Sequence, residues 1–380
     1  MKYKLLASCL FIASCGFIYQ QNSEAPEILQ ETALEATDLP KEAKPLKVLS
    51  WNIANLADSP GQSIRGGHVR SEKDYARLRE IIEAQNPDII ALQEVSSFAA
   101  AEQILNKSVY EIQFESRCLN NRENCLESDG DIYTAIAYKN SLEDAQDFQI
   151  DELAISHTNE CGVTRRVRGA VGVKFRYGKT VIHVPSLHMK ASCKDDTVES
   201  GTEDDCVTQR AQYEALVNWM NQIPEDDAIV LAGDFNRKLL SNSDSIRLKL
   251  TNSNDLSFLP ESGQRSCFSD QDFRYDYALL TSQAFENNPS LREQNVNPYI
   301  YTPKSNQAID FFIVRGLGNV SQISSDQIEL PADYRMENPG DTILACDGET
   351  VVKFENQDRA LVFADAYPSD HCPIVLDIHQ

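Results

Sequence analysis

Several apolar segments of this chain are followed at once by a short group of polar residues. The segments have the length of β-strands, so the polar side chains come where a strand is expected to end. Because strand ends meet at one edge of a sheet, where open sheets commonly place their sites, these side chains are expected to converge. The groups are Trp51-Asn52, Gln93-Glu94, Ser186-Leu187-His188, Gly233-Asp234-Phe235-Asn236, Ile309-Asp310 and Ser369-Asp370-His371.

The hydrophobic pattern around these groups predicts many strands with helices between them. Helical spacing indicates Glu72–Gln85, which Pro87 ends, and Gln209–Ile223. The fold class is therefore α/β or α+β, and the sequence shows no internal repeat. The predicted strands are Lys47–Asn52, Asp88–Leu92, Ile132–Tyr138, Ala170–Phe175, Thr180–Leu187, Ala228–Ala232, Ala308–Val314 and Ile374–Ile378.

The balance of charges limits the possible partners. The 380 residues include 58 Asp and Glu against 35 Lys and Arg, for a formal net charge of −23. This charge repels phosphate backbones at long range, which excludes a sequence-independent basic nucleic-acid binder. Catalysis on a phosphate remains compatible, because a bound cation reverses the local field. Length alone predicts two or three domains, but the polar groups spread from Asn52 to His371 and favour one.

The polar groups supply carboxylates, carboxamides and imidazoles, with no Ser/His/Asp or Cys/His grouping at plausible positions. Carboxylate and amide oxygens are the ligands of a hard cation such as Mg²⁺, with Mn²⁺ or Ca²⁺ as alternatives. Two histidines with nearby acids are suited to proton transfer on both sides of a phosphorus–oxygen bond.

The N-terminus predicts export. Residues 1–14 have the basic start and short apolar run of a signal peptide, too short to span a bilayer. Ile12-Ala13-Ser14-Cys15 resembles a bacterial lipobox with Cys15 lipidated; the alternative is an ordinary signal cleaved near Ser14 or Gly16. Residues 15–46 predict a flexible acidic tether, and residues 47–380 the folded domain. The protein is then lipid-anchored in the periplasm or on the cell surface, or secreted.

Eight cysteines remain after Cys9 and Cys15, and their spacings do not form zinc knuckles. An even count behind a signal peptide predicts disulfides in an oxidising compartment. We predict the two local pairs, Cys118–Cys125 and Cys193–Cys206.

With these motifs in order along the chain, the sequence resembles the endonuclease/exonuclease/phosphatase superfamily, which includes deoxyribonucleases, apurinic-site endonucleases, sphingomyelinases and inositol-polyphosphate phosphatases. The resemblance covers about Lys47 to Ile378. It implies a four-layered sandwich of two packed mixed β-sheets flanked by helices. It also implies a divalent metal and hydrolysis of a phosphate ester by attack of water.

The resemblance assigns the metal and phosphate side of the site. Glu94 matches the principal metal ligand and Asp370 a second carboxylate beside the metal. Asn52 matches the asparagine near both metal and phosphate. Asn236 is assigned to the phosphate, and Arg168, beside Arg165 and Arg166, is a further candidate to bind it.

The resemblance also assigns the proton transfers. Asp234 positions or deprotonates the attacking water, and Asp310 orients His371; which of Asp234 and His371 takes the proton stays open. His188 matches the acid for the leaving oxygen, with Asp131 as its orienting acid by comparison with the deoxyribonucleases.

For the substrate, the His188 and Arg168 matches favour DNA or RNA, and a monomeric nuclease is expected. The alternative enzyme is a phospholipid or inositol-phosphate phosphoesterase, although sphingomyelinases usually have Gly-Thr-His where this chain has Ser-Leu-His. A non-catalytic surface binding module is the remaining alternative. The apurinic-site enzymes carry an acid two residues after the first asparagine, where this chain has Ala54, which argues against abasic-site specialisation.

Overall fold

The computed structural model describes most of the chain from Lys44 onward. The described residues are 44–62, 64, 69–119, 125, 132–158, 162, 164–193, 201–241, 244–251, 255–262, 273–275, 301–303, 308–323, 342–344, 351–353, 371 and 373–379. The predicted signal peptide and nearly all of the predicted tether lie outside them. None of the helices in these ranges is long and apolar enough to span a membrane.

Two six-stranded sheets form the centre of the domain, each with one parallel pair among antiparallel neighbours. Sheet I has the strand order β15-β18-β1-β2-β4-β3 and sheet II the order β11-β14-β10-β9-β8-β5. The strands are β1 (Leu46–Leu56), β2 (Ile89–Val95), β3 (Tyr110–Phe114), β4 (Tyr133–Lys139), β5 (Gln146–Ile150), β6 (Ser156–Thr158), β7 (Thr164–Arg166), β8 (Ala170–Tyr177), β9 (Thr180–His188), β10 (Ala228–Asp234), β11 (Ser257–Leu259), β12 (Phe273–Tyr275), β13 (Tyr301–Pro303), β14 (Asp310–Arg315), β15 (Val320–Ile323), β16 (Thr342–Leu344), β17 (Val351–Lys353) and β18 (Ile374–Ile378).

Helices cover the outer face of each sheet. The described helices are α1 (Glu72–Gln85), α2 (Phe98–Ile104), α3 (Ser116–Leu119), α4 (Asp204–Met220) and α5 (Ser245–Thr251), with a 3₁₀ turn at Asp151–Leu153. One apolar cluster fills the space between the sheets, a second packs α1 and α2 on sheet I, and a third packs α4 and α5 on sheet II. The predicted four-layered sandwich is confirmed.

Helix α1 has the predicted bounds because its end signals are strong. Ser71 caps the first turn and Asp74 completes a capping box, while Asn86 ends the helix in a left-handed conformation before Pro87. Helix α4 instead begins at Asp204, five residues before the predicted Gln209. Its first turn begins with two acids, Asp204 and Asp205, which favour a helix N-terminus electrostatically but add nothing to the apolar periodicity.

The polar groups differ from expectation in one respect. His188 and Asp234 are the last residues of β9 and β10 and pair with each other, whereas Asn52 is the last residue of β1 in regular register with β2 and Glu94 lies where that register shifts. Asp310 opens β14 and His371 precedes β18, so these two groups come before a strand rather than after one. Since β14 runs antiparallel to β10, its start still lies at the edge where β10 ends.

Gly233 allows β9 and β10 to pair closely near His188 and Asp234, the last residues of these two strands. It lies in β10 beside Leu187 of β9 with φ of +152°, and a Cβ at this position would lie 2.0 Å from the Leu187 carbonyl oxygen. Because the clashing atom belongs to the backbone of a central strand, it cannot move aside as a flexible side chain would. Any larger residue must therefore separate β9 from β10.

We expect Gly233→Ala to lower the free energy of unfolding by about 3 kcal/mol, measured by urea denaturation. Gly318→Ala is the matched control, because a Cβ there meets nothing within 4 Å. Equal stabilities of the two variants would contradict this account of the β9–β10 contact.

Candidate active site

Three neighbouring strands of sheet II bring His188, Asp234 and Asp310 side by side. Asp234 of β10 pairs with His188 of β9 on one side and with Asp310 of β14 on the other. Residues directly opposite in adjacent strands project their side chains to the same face. The sheet register therefore places the three groups in one row, and all three are at most 5% exposed.

The facing edge of sheet I contributes Asn52 and Glu94 through irregular backbone. The pairing of β1 with β2 shifts register between Asn52 and Leu56, and β2 shifts against β4 around Glu94. Glu94 has φ of +61°, in the left-handed region that few non-glycine residues adopt. Such irregularities re-aim a side chain at the end of a strand.

The side-chain amide of Asn52 joins the two sheets at the site. Its Nδ2 donates to Glu94 Oε1 at 3.3 Å and to Asp234 Oδ2 at 3.1 Å, while its Oδ1 accepts from the backbone N–H of Ala54 at 3.0 Å. In this orientation Asn52 presents a donor to both carboxylates. The structure thus places Asn52 between the two carboxylates, and both its predicted phosphate role and its predicted metal role stay predictions.

His371 lies at the same edge, and both its imidazole ring and its backbone carbonyl are held by hydrogen bonds. Its Nδ1 lies 2.9 Å and 3.0 Å from the two carboxylate oxygens of Asp310, and its backbone carbonyl accepts from Trp51 Nε1 at 2.9 Å. An acid on Nδ1 fixes the tautomer and ring orientation and turns Nε2 toward the site. The structure thus brings the predicted Asp310–His371 pair together.

Two imidazoles lie against a single oxygen of Asp234. His188 Nε2 is 3.6 Å and His371 Nε2 is 3.7 Å from Asp234 Oδ2, and His188 Nε2 is also 3.7 Å from Glu94 Oε1. Burial raises the pKa of Asp234 to about 7; the charge of His371 opposes that shift, and the carboxylates of Asp310 and Glu94 add to it. Groups that titrate near neutrality are the ones that exchange protons efficiently.

Asn236 and Arg168 border this centre. Asn236 has φ of +51°, and its backbone N–H and Nδ2 donate to the two oxygens of Asp234 at 2.7 Å and 3.0 Å. Arg168 donates to the carbonyl of Met189, the residue after His188, at 3.1 Å. Asp131 and Asp370 lie outside the described residues, so their roles stay predictions.

The donor set fits a hard divalent cation at Glu94. The Glu94 side chain is 19% exposed, against 2% for Asp234 and 7% for Asp310, so it is the carboxylate that a hydrated cation reaches first. Ligand atoms of Asp234, Asp310 and His371 also lie within 4.8 Å of one another, a spacing that a metal could bridge. Because Asp310 already holds His371 Nδ1 through both oxygens, that cluster is also suited to proton transfer, and the role of Glu94 as the metal ligand stays a prediction.

The profile of the Endonuclease/Exonuclease/phosphatase family matches residues 49–371, which include every described site residue. The chain belongs to this family. Membership supports the expectation that the protein is a hydrolase of phosphoesters, and enzymes of the family generally use divalent metals.

Solved structures are similar to this chain at low sequence identity and with TM-scores below 0.5. D. rerio TDP2 complexed with a single strand DNA product is 15% identical, with 88% of this chain and 99% of that chain covered and a TM-score of 0.44. The human Nocturnin catalytic domain with bound sulfate anion is 16% identical, with 89% and 95% covered and a TM-score of 0.43. A Bacteroides thetaiotaomicron protein of the endonuclease/exonuclease/phosphatase family is 12% identical, with 88% and 98% covered and a TM-score of 0.43. No curated protein matches the chain in sequence.

Helix α4 supports the loop that follows His188 in this family member. Gln212, fully buried, accepts from the backbone N–H of Lys190 at 2.7 Å and donates to the carbonyls of Leu153 and Arg168. Gln209, also buried, donates to the Lys190 carbonyl at 2.6 Å. Both glutamines lie on the buried side of the helix, so they substitute for water around an irregular backbone segment.

Two disulfides are present among the described residues, Cys118–Cys125 and Cys193–Cys206, and both predicted pairs are confirmed. The second one ties the loop after β9 to the first turn of α4. Arg237 donates to Asp244 at 2.7 Å and to Gln209 at 3.0 Å in the same region. These contacts give Arg237 a role in supporting the loop.

Sequence reasoning missed the residues that hold the site through backbone groups. Trp51 was visible only as the neighbour of Asn52, and Gln209 and Gln212 only as polar positions of a helix. A signal existed in the helix, since polar residues three apart on an otherwise apolar side must find buried partners. Nothing in the sequence indicates that the partner of Trp51 is the carbonyl of His371.

We expect Cys193→Ser with Cys206→Ser to lower the free energy of unfolding by about 3 kcal/mol, the chain-entropy value for a loop of this size. The two cysteines are 13 positions apart. Val207→Ser, at an exposed position of the same helical turn, is the control and should change stability little. A loss below about 1 kcal/mol in urea denaturation would contradict a constraining role for this disulfide.

Proposed function

We propose that the protein is a secreted or lipid-anchored, metal-dependent phosphodiesterase, and specifically a nuclease that hydrolyses DNA or RNA. The observation that carries the proposal is the placement of two imidazoles, His188 and His371, within 3.7 Å of one buried carboxylate oxygen of Asp234. Hydrolysis of a phosphodiester needs one proton removed from water and one delivered to the leaving oxygen. The site provides a group for each transfer.

The Asp234–His371 pair is placed to accept the first proton. Asp310 fixes Nδ1 of His371, which leaves Nε2 directed at the site and stabilises the imidazolium once it forms. Asn52 and Asn236 donate to Asp234 and hold its carboxylate in one orientation. Water that loses its proton to this pair forms the new phosphorus–oxygen bond.

His188 is placed to deliver the second proton. As the phosphorus–oxygen bond to the leaving group breaks, the imidazolium form of His188 gives its proton to the departing alkoxide. The products are then a phosphomonoester and an alcohol, and the two histidines exchange protons with solvent to restore the starting state.

Glu94, together with the predicted ligand Asp370, would hold the metal. When bound, a divalent cation neutralises the charge that develops on the phosphoryl oxygens. Three carboxylates, Glu94, Asp234 and Asp310, are gathered at one largely buried edge. Such a concentration of like charge favours a bound cation.

Nucleic acid is the proposed substrate because the matches at His188 and Arg168 are nearest to the deoxyribonuclease branch of the family, in which an acid protonates the leaving sugar oxygen. Arg168, held against the carbonyl of the residue after His188, offers a cation beside that leaving group. Phospholipids and inositol phosphates share the phosphoester chemistry and remain the alternative substrates.

We expect His371→Ala to lower the rate of nicking of supercoiled plasmid by about 10³-fold or more, since it removes a proton-transfer group. Asp234→Ala should do the same, and EDTA should stop the wild-type enzyme. His379→Ala is the control, because His379 contacts Ser321 at the far end of β18. Turnover near wild type in either site variant would contradict the assignment.

The same preparation distinguishes the substrate classes. Metal-dependent nicking that requires His371 would establish a nuclease. Intact plasmid from folded protein, together with release of phosphate or phosphocholine from inositol phosphates or sphingomyelin vesicles, would replace the nuclease with the alternative.

Export is supported by the two disulfides, which persist in oxidising compartments, and the proposed anchor rests on the lipobox-like Ile12-Ala13-Ser14-Cys15. We expect the full-length chain, expressed in a bacterium and labelled with palmitate, to carry the label and to fractionate with membranes. Cys15→Ala should abolish the labelling, whereas Cys9→Ala should not. Equal labelling of the two variants would rule out Cys15 as the lipidated residue.

A further inference from the structure

The turn between Asn52 and Leu56 is irregular and contacts the candidate metal ligand. Ala54 and Asn55 have φ of +54° and +55°, so two consecutive non-glycine residues are left-handed. The backbone N–H of Asn55 donates to Glu94 Oε2 at 3.1 Å. Glu94 is itself left-handed, so both partners of this hydrogen bond depend on sparsely populated backbone conformations.

The guanidinium of Arg70 lies against the outer side of this turn. It donates through Nη2 to the carbonyls of Ile53 and Ala54, the latter at 2.8 Å, and through Nη1 to the carbonyl of Asn55 at 3.3 Å. Arg70 is 1% exposed and directly precedes Ser71, the N-cap of α1. Three successive carbonyls that point to one side are thus held by one rigid, planar donor.

Peptide geometry connects these contacts to Glu94. When the carbonyls of residues 53 to 55 point toward Arg70, the amide of Asn55 is directed toward Glu94 Oε2, and the amide of Ala54 toward Asn52 Oδ1. The second contact leaves Asn52 Nδ2 facing Glu94 Oε1 and Asp234. Both oxygens of Glu94 are therefore positioned by donors whose direction Arg70 stabilises.

We propose that Arg70 is a positioning residue for the metal-binding carboxylate of Glu94, acting through the 53–55 turn. The inference rests on the proposed function, since Glu94 is assigned there as the metal ligand. Arg70 does not touch metal or substrate; its effect is to hold the carboxylate in the orientation that binds the cation. Partners of this kind behind a ligand usually alter metal affinity by about 10–100-fold when they are removed.

The test compares Arg70→Lys with Arg77→Lys. Arg77 is also buried, lies on α1 and pairs with Asp74 at 3.1 Å, so it controls for replacing a buried arginine in this region. Lysine keeps the charge but cannot hold three carbonyls in a fixed geometry. Binding of Mn²⁺ is followed by electron paramagnetic resonance of the free ion, without any substrate.

We expect Arg70→Lys to raise the Mn²⁺ dissociation constant about tenfold and Arg77→Lys to leave it within about twofold. In turnover assays the Arg70→Lys defect should recover as the Mg²⁺ concentration rises, whereas a loss of folded protein would lower activity equally at every concentration. Equal Mn²⁺ affinity in Arg70→Lys and wild type would overturn the proposal.

Two further variants keep the outcomes separate. If wild type and Glu94→Gln bind Mn²⁺ equally, the assignment of Glu94 as the metal ligand fails, and the positioning role of Arg70 fails with it, whereas the nuclease activity is decided separately by the plasmid assay. If Arg70→Lys does not fold, Arg70→Gln replaces it with a neutral donor and the same expectation. Failure of both to fold, judged by circular dichroism, would overturn the positioning role in favour of a purely structural one.

Discussion

The hydrogen bond from Asn52 to Asp234 is the contact on which the rest of this site depends. It joins the last regular position of β1 in sheet I to the last residue of β10 in sheet II. A second polar contact joins the same two sheets. The side-chain amide of Gln93 in sheet I donates to the hydroxyl of Ser186 in sheet II, and that hydroxyl donates to the Leu92 carbonyl. Polar contacts of this kind between two apolar sheet faces specify a single alignment, because any sliding of the sheets would leave buried groups without partners. The alignment in turn sets the distances between groups that come from different sheets.

The site residues belong to strands, and this accounts for their burial. Asp234 is 1% exposed because β10 is central to sheet II, with β9 and β14 on its two sides. A carboxylate in that position is costly unless donors surround it, and two asparagine side chains and a backbone amide provide them. The strongly acidic chain therefore surrounds the carboxylates of the candidate site with neutral donors and imidazoles, which fix the geometry of these carboxylates in advance.

Features that depend on neighbouring residues could be predicted from the sequence, whereas features that depend on contacts between distant strands could not. The bounds of α1 and β18 were predicted to the residue because local signals, a capping box and an uninterrupted apolar run, determine them. The row of His188, Asp234 and Asp310 was predicted as a set because each group marks a strand terminus. The left-handed backbone of Glu94 and the three carbonyls held by Arg70 were not predictable. They depend on how β1 and β2 lose register, which is a property of the assembled sheet rather than of any one segment.

The contact between Trp51 and the His371 carbonyl affects the order in which parts of the protein fold. The two residues are 320 positions apart, and β18, which follows His371, is an interior strand of sheet I between β15 and β1. During synthesis β1 leaves the ribosome long before β18, so the edge of β1 that pairs with β18 stays unpaired until the end of the chain is made. Pairings between such distant segments form slowly, because closing the long loop between them costs conformational entropy before the new contacts stabilise it. The candidate site is therefore completed late in folding, and a nascent or shortened chain that lacks residues 371–378 has neither a complete sheet I nor the imidazole held by Asp310.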